Sequence, residues 1–164
     1  MKRSLVPAVI FLIVFLAACT KDKFGRSHSV LANRSAHRIV VVPYANGLPD
    51  SSLVRAMNPG DSAYVFESGS NERDVAPTWT EELRRFDSVR VAFIDTAAAG
   101  HDTVRIAHVR AGIVPSYPKY IPFSAARSLY NKAAWSEEII DDSRNVLIGR
   151  FTYTFTEADF RAAR

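Results

Sequence analysis

Near its end the chain alternates with a period of two: Phe151, Tyr153 and Phe155 are separated by Thr152, Thr154 and Thr156. Successive side chains of a strand point to opposite faces. The pattern therefore predicts a strand over Val146–Thr156 with a buried aromatic face and a wet threonine ladder. The same period recurs upstream. Arg38 to Tyr44 carries Ile39, Val40, Val41 and Val42 and stops at Asn46-Gly47 and Pro49-Asp50, which are turn residues. Ser52–Met57 reads as a second strand, followed by the compact turn Asn58-Pro59-Gly60-Asp61. Ser62–Glu67 supplies Ala63, Tyr64, Val65 and Phe66. Ser88–Ile94 sets Val89, Val91 and Phe93 on one face. Thr103–Val109 brings Val104 and Ile106 together, after an Ala-Ala-Ala-Gly link suited to closing a hairpin.

Helical signals are minor. Thr78-Trp79-Thr80-Glu81 fits a capping box before Leu83 and Phe86. Ala126, Leu129, Tyr130 and Ala133 repeat at helical spacing behind Ser124, a suitable N-cap. Thr156-Glu157-Ala158-Asp159 puts acids into the first turn of a short closing helix that ends at Arg164. Many short strands between turn residues predict an all-β fold: an antiparallel β-sandwich, immunoglobulin-like or a related barrel, with one to three short helices.

The start of the chain carries a different message. Lys2 and Arg3 precede an apolar run from Leu5 to Ala18, and small residues stand directly before Cys19, the single cysteine. That order is the layout of a secretory signal peptide. The run is too short to cross a hydrocarbon core, which needs roughly 20 residues. Leu16-Ala17-Ala18-Cys19 resembles the lipobox of bacterial lipoproteins. The resemblance implies that Cys19 is acylated, becomes the first residue of the mature chain, and holds the protein permanently at a membrane through several acyl chains. With one cysteine, no intramolecular disulfide forms.

The chain then divides into a leader (1–18), a flexible tether (19–36) and a single β-rich domain (37–164). Thr20 to Ala36 is polar, charged and aperiodic, which is the reason for reading a tether. Lys21-Asp22 resembles the charged export signal behind the cysteine of surface-exposed Bacteroidota lipoproteins, and a solvated linker explains it equally. Phe151–Phe160 and Asp87–Asp95 resemble segments of small uncharacterised Bacteroidota lipoproteins. The location implied is the cell envelope, at the outer membrane, with periplasmic and surface-facing placement both open.

Loss of Lys2 and Arg3 with the leader lowers the formal net charge of +4 by two. The remaining basic residues are scattered, with Arg84-Arg85 the one adjacent pair, so no nucleic-acid partner is expected. His101 and His108 lie seven positions apart on a predicted strand, hence on opposite faces, and cannot share an ion. Both read as surface histidines; His28 lies in the tether and His37 at the entrance of the first strand. Glu67-Ser68-Gly69-Ser70 lacks the first glycine of a nucleophile elbow. The carboxylate pairs Glu81-Glu82, Glu137-Glu138 and Asp141-Asp142 are neighbours in sequence and read as solvated charge. Asp141-Asp142 with Asn145 lacks the glycine and closing glutamate of an EF-hand loop. No cofactor and no metal site are expected, and the chain reads as non-catalytic.

Pro115-Ser116-Tyr117-Pro118-Lys119-Tyr120-Ile121-Pro122-Phe123 is the candidate recognition segment. Its prolines stiffen the backbone, and Tyr117 and Tyr120 offer flat amphipathic surfaces for a glycan or a protein. The plainer reading is a loop whose aromatics cap the open end of the sandwich. Four Asp–hydroxyl–apolar triplets place Ser62, Ser88, Thr96 and Thr103 in a pattern similar to the O-glycosylation acceptor of exported Bacteroidota proteins; strand starts after turns produce the same triplet. The functional expectation is a lipid-anchored envelope module that binds or assists, with a membrane partner through its lipid and an envelope protein complex or glycan as ligand. A hydrolase whose carboxylates converge only in three dimensions is the alternative, and a purely structural envelope protein is a third.

Overall fold

A computed structural model describes residues 24–70, 82–95, 102–115 and 117–164. Two sheets pack face to face, as an all-β sandwich requires. The first has four strands in the order β5-β1-β10-β9: β1 (Phe24–Asn33), β5 (Ser62–Ser70), β9 (Ser136–Asp142) and β10 (Val146–Phe155). The second is built on β2 (Arg38–Ala45), β6 (Ser88–Ile94) and β7 (Thr103–Val109), flanked by the short strands β3 (Leu48–Pro49), β4 (Arg55–Met57) and β8 (Tyr120–Ile121). Most pairs are antiparallel, but β1 runs parallel to β10 and β8 parallel to β7.

The alternating strands behave as their period dictates. Phe151, Tyr153 and Phe155 are buried while Thr152 and Thr154 are half-exposed. Val89, Val91 and Phe93 face them from β6, and Phe93 meets Phe155 edge-on with centroids 6.5 Å apart. Each large side chain removed from water in this way contributes about 1.5–3 kcal/mol. Asn46 and Gly47 take φ of 51° and 76°, so the β2–β3 hairpin turns on two left-handed residues, as an Asn-Gly loop favours. Thr156 caps the closing helix α1 (Glu157–Ala163) with a reciprocal Thr156–Asp159 box.

Three expectations need correction. The tether expected over 19–36 contains β1 from Phe24 onward, a central strand hydrogen-bonded on both sides. The inward positions of its first half are Gly25, Ser27 and Ser29, and its buried apolar residues Val30 and Leu31 come only after the register shift at Ser29/Val30, so the strand lacks the sustained apolar alternation by which buried strands are recognised. Ala126–Ala133 is not a helix. It is a series of turns ending in the 3-10 turn Lys132–Ala134, because Leu129 and Tyr130 are drawn into the core from an irregular backbone. Ser52–Met57 divides into a 3-10 turn (Ser51–Leu53) and β4, with Asp50 capping the turn through the Ser52 N–H. Glu137–Asp142, read as solvated charge, is indeed exposed, yet on an edge strand, β9. Cys19 and the leader, the Thr78–Glu81 box, the 97–100 link, Thr96 and His101 lie outside the described residues.

Candidate functional site

The period-two rule that buries Val89, Val91 and Phe93 sends Arg90 to the outer face of the second sheet. Register then decides its neighbours. Arg90 stands opposite Ala107 on β7 and Val42 on β2, and Arg105 stands opposite Ala92. Arg90, Arg105, Ala107, Val42 and Tyr44 therefore share one face. Residues 113–115 and 117–123 lie along it. Lys119 accepts the Ala107 N–H at 3.2 Å, and β8 then continues alongside β7.

Tyr117 reaches down onto Arg90. The guanidinium is held between two rings, 3.6 Å from the Tyr44 centroid and 4.1 Å from that of Tyr117, and it donates to the Tyr117 hydroxyl. Arg90 Nε is buried with no hydrogen-bond partner among the described residues. Cation–π contact at such distances contributes about 0.5–2 kcal/mol and fixes the guanidinium plane. The segment thus neither caps the end of the sandwich nor stands free. It roofs a sheet face.

Three clefts open along this roof. The largest, about 390 Å³, is lined by Arg90, Arg105, Tyr117, Pro118 and Lys119 over a floor of Ile106, Ala107 and Ala163. Among the described residues it is lined by three cationic side chains and no carboxylate. A second, about 320 Å³, lies between the end of β7 and Tyr120, Pro122 and Phe123. A third, about 220 Å³, lies between Tyr44 and Tyr117 and includes Asp87. Among the described residues, Asp87 is the one carboxylate lining any of the three. It is held by the Gly47 N–H at 3.2 Å and lies 3.5 Å from Arg110. An anion about 4 Å from a cation is attracted by about 1 kcal/mol per charge in bulk water and by about 4 kcal/mol at the effective dielectric near 20 typical of a protein surface.

The other titratable cluster has a different character. His108 is fully buried, and its Nδ1 accepts the Leu129 N–H at 3.0 Å while the ring meets Tyr153 edge-on at 5.9 Å. Burial holds its pKa down at about 3, so the ring is neutral. This corrects the surface reading: His108 points into the core from the same face of β7 as Ile106. Beside it, Arg127 grips Asp159 through two nitrogens at 3.2 and 2.5 Å and donates to the Thr154 carbonyl at 2.7 Å. The Tyr153 hydroxyl donates to the Arg127 carbonyl at 2.7 Å, and burial pushes that phenol's pKa up. Every partner here is used within the fold.

Of the residues singled out from sequence, Tyr117 lines two of the clefts and Tyr120, 47 % exposed, borders the other. Among the acceptor candidates, Ser62 is exposed, Thr103 is half-buried and Ser88 is buried at 3 %, which closes Ser88 to a modifying enzyme in the folded domain. Sequence reading missed Arg90 and Arg105 and gave Lys119 no role within its segment. The outward placement of the two arginines is visible in Val-Arg-Val and Val-Arg-Ile, but the convergence of the three cations depends on strand register. No group of three or more metal-ligating side chains occurs among the described residues. No protein-family model matches the chain, and no curated protein matches it.

Proposed function

We propose that this chain is a lipid-anchored binding module of the bacterial cell envelope, tethered through acylated Cys19, whose Tyr117 segment and the sheet beneath it receive an anionic ligand. The observation that carries the reading is the largest of the three clefts along the roof, lined among the described residues by three cations, one tyrosine and no acid. A ligand bearing a carboxylate or phosphate on a small body, such as an acidic sugar, meets charge from Arg105 and Lys119 and a flat ring from Tyr117. Arg90 is already oriented by its two tyrosines, so little ordering opposes binding. The alternative hydrolase needs two converging carboxylates, and Asp87, the single acid lining these clefts, is engaged by Arg110 and Gly47.

Calorimetric titration with glucuronic acid, inorganic phosphate and uncharged glucose tests the cleft. Binding of an anion, absent with glucose and lost in Arg105→Glu/Lys119→Glu, is the expected result. Equal behaviour of the wild type and that double variant removes the cleft as the site. Metabolic labelling with a palmitate analogue tests the anchor: the wild type should take up label and Cys19→Ser should not.

A further inference from the structure

The distance between the anchor and the folded domain is much shorter than the sequence suggests, and this constrains how the domain sits. With β1 beginning at Phe24, only residues 20–23 separate it from Cys19. Fully extended, that chain spans at most about 18 Å between the Cα atoms of Cys19 and Phe24. β1 then runs away from this point for ten residues, about 30 Å at the rise of a strand. The anchor is therefore confined to within about 18 Å of the end where β1 begins, whereas the other end of the strand stands about 30 Å from Phe24.

The near end has identifiable members. The Phe24 N–H donates to the Asn145 carbonyl at 2.9 Å, so the chain leaves the domain beside the β9–β10 turn, Ser143–Asn145. Arg144 is exposed at that turn, and Phe24 keeps 36 % of its surface in water. The Phe24 ring packs over Gly69, where an added Cβ would come within 2.5 Å of its tip. Arg26 sits 5.5 Å from the ring centroid. Arg26 is paired with Glu67 at 3.5 Å, and Asp141 and Asp142 are exposed on the strand that leads into the turn, so the feature that suits the boundary between headgroups and acyl chains is the exposed Phe24 ring, with Arg144 beside it to meet lipid phosphate. At the opposite end, the Gly60 N–H donates to the Asn33 carbonyl, which places the exposed turn containing Pro59 at the far terminus of β1.

Resting on the reading of Cys19 as the lipid attachment point, we infer that the sandwich stands on its own membrane by the end that carries Phe24 and Arg144, with the Pro59 turn directed away. The lipid surface itself is the partner of this rim. The anchor supplies confinement, and the rim supplies orientation.

Thiol labelling of the acylated full chain tests this. Arg144→Cys and Pro59→Cys variants are purified from native-host membranes, and mass spectrometry establishes acylation of Cys19, which leaves the introduced thiol as the one available. Each is labelled with a bulky water-soluble maleimide in detergent and in vesicles of phosphatidylethanolamine and phosphatidylglycerol. Labelling at 144 should slow several-fold on vesicles while labelling at 59 stays unchanged. A chain acylated at Cys19 that labels at equal relative rates at both positions, or is shielded more at 59, overturns the orientation and leaves the anchor intact. A chain without acyl groups on Cys19 overturns both.

Discussion

Arg127 and Arg90 have the same chemistry and opposite situations. Each lays its guanidinium against tyrosine, Arg127 at 4.9 Å from the Tyr153 centroid and Arg90 between Tyr44 and Tyr117. Arg127 then finds Asp159, 8 % exposed, and the Thr154 carbonyl, so that its charge is answered inside the fold. Arg90 finds a phenol and, among the described residues lining its cleft, no acid. A cation matched within the fold holds elements together, here the 122–131 segment to the closing helix. A cation oriented but unmatched is available to something else. The difference lies in what register and loop placement put beside each side chain.

The comparison can be broken from its stable side first. Asp159→Ala removes the Arg127 pair and the capping box of α1 together, and should lower unfolding free energy by about 3 kcal/mol in urea titration. A loss below about 1 kcal/mol would mean that the matched arginine is no staple. His108→Ala should lose about 2–3 kcal/mol, since it opens a cavity and strands the Leu129 N–H.

The same histidine predicts a pH dependence. In the folded chain its pKa is about 3, against 6.5 for a free ring, so the unfolded chain takes up a proton first as pH falls. Its contribution to stability is therefore complete above pH 6.5 and is lost progressively down to about 3. His108→Asn keeps an acceptor for Leu129 and cannot titrate. Stability of the wild type should fall with acid more steeply than that of the variant, by one proton across this window. Parallel profiles would show that the ring is not neutral in the fold.

On the open side, stability effects shrink and binding effects appear. Tyr117→Ala should lower stability by about 1 kcal/mol, the contribution of one cation–π contact, while weakening anion binding because Arg90 is released. Arg105→Glu, exposed on the sheet face, should stay within about 0.5 kcal/mol of the wild type in stability. The same change should weaken anion binding at least about tenfold, or 1.4 kcal/mol. If Arg105→Glu instead destabilises as strongly as Asp159→Ala, the contrast between the two arginines is lost.

Neighbouring strands show how far a sequence can be read. β10 was legible because Phe151, Tyr153 and Phe155 announce a buried face by themselves. β1 lies directly beside it, in register from Phe24 opposite Val146 to Asn33 opposite Phe155, and was taken for a linker. The inward residues of its first half are small where the aromatic side chains of the adjoining strands stand beside them, as Ser29 does between Phe151 and Phe66, and Leu31 alone is a large apolar core residue of the strand. The Ala126–Ala133 spacing failed for a related reason, since apolar residues at helical intervals can also be anchored one by one from turns. Tyr117 and Tyr120 were found by composition, whereas Arg90 and Arg105 became a site only through the β6–β7 register.

The sequence alone determined the strand-rich architecture, the faces of β6 and β10, the Asn-Gly hairpin and the acid-capped closing helix. These depend on interactions within a few residues of each other, where period and turn chemistry are enough. Tertiary structure decided that the polar N-terminal stretch becomes a central strand, that His108 is sealed into the core, and that three cations scattered along 30 residues meet over one alanine floor. Such outcomes rest on contacts between residues far apart in the chain, and their energies do not exist until the strands are paired.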